Sequence, residues 1–100
     1  FYSMGSASYT MASLANITAF SVKTAYASTM HVLFRVSDTF TVKLTDYDYE
    51  NNIVRETVYQ PNATESVSIL KSVIGAKVDI WILNSASVTA TINIMYKLKA

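Results

Sequence analysis

The feature that most limits what this chain can become is its alternation. In "TATINIMYKLK", Ala90, Ile92, Ile94, Tyr96 and Leu98 fall on one face and Thr89, Thr91, Asn93, Lys97 and Lys99 on the other, with Met95 the apolar exception. Side chains of an extended strand point to opposite sides in turn, so this pattern describes a half-buried strand. "TMHVLFRVSD" turns Met30, Val32, Phe34 and Val36 inward, "DTFTVKLTD" turns Phe40, Val42 and Leu44 inward, and "KVDIWILN" turns Val78, Ile80 and Ile82 inward. "NITAFSVKTAY" and "NIVRETVYQ" read as strands less cleanly. Val, Ile, Thr, Tyr and Phe supply the sheet-favouring chemistry throughout.

Turn residues separate these runs at Ser37-Asp38, Asn51-Asn52, Pro61-Asn62 and Asn84 to Ser87. Short strands at this spacing predict an all-β fold: one antiparallel β-sandwich, immunoglobulin-like, of about seven strands plus an N-terminal extension strand. Trp81 is late in the chain and Cys is absent, so the immunoglobulin likeness is one of size and strand count. Residues 65–75 stay ambiguous. Val67 and Ile69 alternate with Ser66 and Ser68, while Asn62 and Glu65 form a capping box ahead of a helical face ending at Gly75. Strand is the preferred reading.

The chain contains 15% charged residues against about 25% in an ordinary domain. Part of its surface is therefore expected to be covered by other chains. A net charge of +1 gives no reason to invoke nucleic acid. Without Cys there are no disulfides and no thiol chemistry. No run reaches the ~18 apolar residues of a membrane helix. A first residue of Phe reads as a mature product whose signal segment has been removed, or as a chosen boundary.

No catalytic constellation emerges, and the chain is read as a non-enzyme. His31, the only histidine, sits mid-strand opposite Val32 and Phe34. "DYDYE" spaces Asp46, Asp48 and Glu50 two apart, as carboxylates converging on a hard cation such as Ca2+ would be. The calcium-loop match then fails at Asn51 and Thr57. The competing reading is a solvated acidic turn with Tyr47 and Tyr49 packed behind it. "NIT" at Asn16 and "NAT" at Asn62 match the glycosylation acceptor pattern. Trp81 and Leu83 point away from the inner face of their strand and Leu33 away from its own; were the strands neighbours, they would form an outer apolar row.

The first 22 residues carry no charge. Within them Ala7, Tyr9 and Met11 alternate with Ser6, Ser8 and Thr10. A lone strand needs an edge to satisfy its backbone. That edge belongs either to the same sandwich or to a neighbour, and about 13 extended residues reach roughly 40 Å. The expected division is a donor-strand arm at residues 1–14 and a sandwich at 15–100, the arm joining copies head-to-tail through Ala7, Tyr9, Met11 and Leu14.

A small sandwich with an uncharged, alternating N-terminal segment resembles the donor-strand subunits of extracellular pili. The Cys-free, Ser/Thr/Tyr/Ile-rich composition and the two sequons are closer to archaeal surface threads and bundling pili than to bacterial chaperone–usher pilins. The resemblance implies a homopolymeric filament subunit at the cell surface. One departure is that chaperone–usher subunits lack their last strand, whereas "VTATINIMYKLK" is a complete one. A virion or tail subunit shares these sequence properties. The reading from another class is a monomeric binding module, with the arm as its own edge strand and the Trp81 face as its ligand surface.

Overall fold

The computed structural model describes residues 2–61 and 66–100. Among the described residues eight strands follow one another: β1 (Tyr2–Met11), β2 (Asn16–Lys23), β3 (Thr29–Val36), β4 (Phe40–Tyr47), β5 (Ile53–Tyr59), β6 (Ser66–Ser72), β7 (Lys77–Asn84) and β8 (Ala90–Lys99). All pairings are antiparallel, and they form two four-stranded sheets ordered β1-β8-β3-β6 and β2-β7-β4-β5. Among the described residues there is no helix, so none crosses a membrane. The ambiguous segment is strand β6; its capping-box residues Asn62 and Glu65 lie outside the described residues.

Successive strands change sheet at every step except the β4–β5 hairpin. That is the path of an eight-stranded jelly roll. The all-β sandwich stands, but the immunoglobulin-like expectation is corrected, because an immunoglobulin sandwich groups its strands differently. Alternation predicts the core well. Met30, Val32, Phe40, Val42, Leu44, Ile80, Ile82, Ile92 and Leu98 are fully buried between the sheets. Fully burying such a side chain contributes about 1.5–3 kcal/mol.

Within the single chain, the segment expected as a 1–14 arm is built into the sandwich. β1 is the edge strand of the first sheet, paired with β8 from Tyr2↔Lys99 to Met11↔Ala90. Of the two edges open to a lone strand, its backbone takes the one in its own chain. Met11 is buried, and Ala7 and Tyr9 pack against the core.

Candidate assembly surfaces

β1 leaves its sheet through a four-residue corner, Ala12 to Ala15. Leu14 there has φ 63° and is 69% exposed. A non-glycine residue in the left-handed region is strained by about 1–3 kcal/mol. Asn84 holds the corner in place. It is fully buried; its Nδ2 donates to the carbonyls of Met11 (2.8 Å) and Val88 (2.9 Å), and its Oδ1 accepts from the Ala86 amide (2.9 Å). Its backbone bonds Leu14 and Ala15 as well. Asn84 is thus the hub that fixes the end of β1 to the β7–β8 connection, a role that its place in a turn cluster does not reveal.

The outer face of the first sheet carries a groove of about 650 Å³ lined by Ser6, Ser8, Leu33, Arg35, Ser68 and Met95, among others. The register explains the lining. Ser6, Met95, Leu33 and Ser68 form one cross-strand row, and Ser8, Asn93, Arg35 and Ser66 the next. His31 is also on this face, where its Nε2 lies 2.6 Å from the Ser68 hydroxyl.

Trp81 and Leu83 face outward from the second sheet. Leu33 therefore shares no surface with them: β3 and β7 belong to different sheets, and the expected continuous row is two separate outer faces. Lys43 sits 4.9 Å from the Trp81 ring centre, and the indole Nε1 donates to Asn16 Oδ1 at 3.3 Å. Asn16 is exposed at the start of β2. Asn62 lies outside the described residues.

The three "DYDYE" carboxylates do not converge. Asp46 continues the inward face of Phe40, Val42 and Leu44 and is buried, where it pairs with Arg55 of β5 and Lys71 of β6. Arg55 Nη2 also donates to the Ser72 carbonyl at 2.9 Å, so the cluster ties the second sheet to the first. Burial pulls the Lys71 ammonium below its ordinary pKa, and its hydrogen bond to Asp46 opposes the shift. Asp48 instead caps the β4–β5 turn, accepting from the amides of Glu50 (2.9 Å) and Asn52 (2.8 Å). The Asn52 amide bond lowers its carboxyl pKa. Glu50 is exposed, and among the described residues no group of three His, Asp or Glu side chains gathers.

No protein-family model matches the chain, and no curated protein does. Solved structures share its fold. A protein of the Bacillus endospore appendages, described as forming "a novel family of disulfide-linked pili", superposes with a TM-score of 0.60 at 14% identity, over 100% of this chain and 87% of that one. The SPBc2 prophage-derived protein YomS superposes with a TM-score of 0.55 at 11% identity, over 95% and 93% respectively. The likeness is one of fold; nothing in it points to archaea.

Proposed function

We propose that this chain is a non-enzymatic structural subunit that assembles with copies of itself into an extracellular, pilus-like filament. The carrying observation is the fold likeness to the Bacillus appendage protein along the whole chain. The low charge content supports it, since polymer contacts cover surface that water would otherwise have to solvate. A virion or tail subunit is the second reading, favoured by the likeness to the prophage-derived protein and by the use of jelly rolls in capsids.

The joint we propose is exchange of β1. These 100 residues include no Cys and so offer no disulfide link between copies. β1 is an edge strand attached through one corner, and a neighbour's β1 would make the same pairing with β8. Exchange of identical elements preserves the contacts. Opening the Ala12–Ala15 corner would relieve Leu14 of its left-handed backbone. Because the contact is head-to-tail, it propagates.

Negative-stain microscopy and sedimentation across a concentration series test the reading. Filaments are expected, closed shells would favour the virion reading, and a persistent 11.1 kDa monomer would overturn both. Leu14→Gly tests the joint. It removes the strain and should favour the closed monomer by about 1 kcal/mol, roughly fivefold. Unchanged assembly by that variant would remove β1 exchange from the account.

A further inference from the structure

The groove on the first sheet holds a cation with no counter-charge among the described residues. Arg35 is exposed, its side chain has no hydrogen-bond or ion-pair partner among them, and none of those lining the groove is a carboxylate. Beside it lies an apolar floor, Leu33 and Met95, directly paired across β3 and β8. Met95 is 40% exposed.

The opposite face of the sandwich carries the complementary set. On β5, Glu56 and Val58 pair with Thr45 and Lys43 and so point outward. Val58 is 54% exposed, and the Glu56 carboxylate is exposed with no ion-pair partner among the described residues. Lys43 beside Val58 is drawn over Trp81. Glu56 and Val58 are two residues apart along β5, as Leu33 and Arg35 are along β3, so each pair spans about 6.6–6.8 Å.

We propose that the outer face of β1-β8-β3-β6 receives the β5 margin of a second copy, with Glu56 on Arg35 and Val58 over Leu33 and Met95. The matched spacing lets the charge pair and the apolar contact form together. Each broad face lies within 38 × 24 Å, enough for the about 800 Å² per partner of a standard interface. Acceptor and donor lie on opposite faces, so the contact is heterologous and stacks sandwich upon sandwich. It rests on the homopolymer reading and adds a second joint to β1 exchange.

Charge reversal tests it, because both residues are exposed and circular dichroism can verify folding. Arg35→Glu alone and Glu56→Arg alone should each raise the concentration needed for assembly by about tenfold or more, as like charges meet. The double variant R35E/E56R recreates the pair with its signs exchanged and should return assembly close to wild type. The Cys-free chain also permits an independent readout: S68C/V58C should form intermolecular disulfide ladders on oxidation of preformed polymer. Polymers indifferent to both single reversals, or a double variant no better than the singles, would overturn the stacking contact and leave the filament reading standing. A wild-type chain that stays monomeric would overturn the filament reading itself.

Discussion

Asp46 is the most deeply buried ionisable residue among those described, and Asp46→Asn keeps its shape while removing its charge. The consequences differ for its two partners. Arg55 is 36% exposed and retains its bond to the Ser72 carbonyl, so it can turn toward water. The Lys71 side chain is only 9% exposed and loses its one ion-pair partner among the described residues. Removing one member of a buried pair costs about 3–5 kcal/mol. Escape of Arg55 places the expected loss near the lower end, about 3 kcal/mol, out of a total stability of about 5–15 kcal/mol. At this chain length that lowers Tm by on the order of 12 °C or more.

The pH dependence separates this mechanism from simple loss of packing. The folded-state pKa of Lys71 is lowered, so between that value and the unfolded 10.5 the unfolded chain holds a proton that the folded chain has shed. Stability from this group therefore rises with pH through that window and levels off above it. In the D46N variant no carboxylate supports the ammonium, so the window widens and the variant recovers part of its loss in alkali. Urea melts followed by Trp81 fluorescence at about pH 7 and about pH 10 measure both effects. A deficit under about 1 kcal/mol at neutral pH, or one that widens in alkali, would refute this account of the cluster. D46L/K71M should recover most of the loss, because a buried pair is often replaced by apolar groups without cost.

Asn84→Ala strands three backbone partners at the β1 corner and should cost about 2–4 kcal/mol in the same urea melts. Gly75→Ala would set a Cβ 2.0 Å from the Tyr47 carbonyl oxygen, which is backbone and bonds the Ala76 amide, so it should lose at least about 2 kcal/mol. Deleting residues 1–11 opens the edge of β8 and strips Met11 from the core. The truncated chain should aggregate, and a peptide of residues 1–13 added in trans should restore a folded species by circular dichroism and gel filtration. A truncated monomer melting like the full chain would show that β1 contributes nothing.

Alternation is a local property, and what is legible follows from that. It yields the strands and the inward set from Met30 to Val36, because these depend only on neighbours in the chain. It does not say which sheet a strand joins. The pattern leaves Leu33 and Trp81 free to share one surface, yet β3 and β7 lie in different sheets. Asp46 shows a signal that is present but outweighed. Two-residue spacing continues Phe40, Val42 and Leu44 straight to Asp46, which places it inside, whereas reading "DYDYE" as a cluster places it with Asp48. Its partners come from β5 and β6, beyond the reach of any local pattern. The Asn51 turn is readable because Asn tolerates the left-handed region it adopts (φ 66°).

β1 poses the same problem in its sharpest form, since its sequence reads identically whether β8 belongs to its own chain or to the next. The balance between the two is set by quantities other than contacts. A short connection presents β1 to its own β8 at an effective concentration of millimolar or above, so in dilute solution the closed monomer would be favoured over the proposed exchange acting alone. Relief at Leu14 works against closure by about 1–3 kcal/mol, and the Asn84 hub works for it. A second contact changes the arithmetic. If the β5 margin already docks on a neighbour's groove, that neighbour's β8 edge is held close and exchange becomes a local event. Stacking and exchange then reinforce one another. The Arg35 and Glu56 reversals should consequently weaken exchange even though neither residue lies on β1.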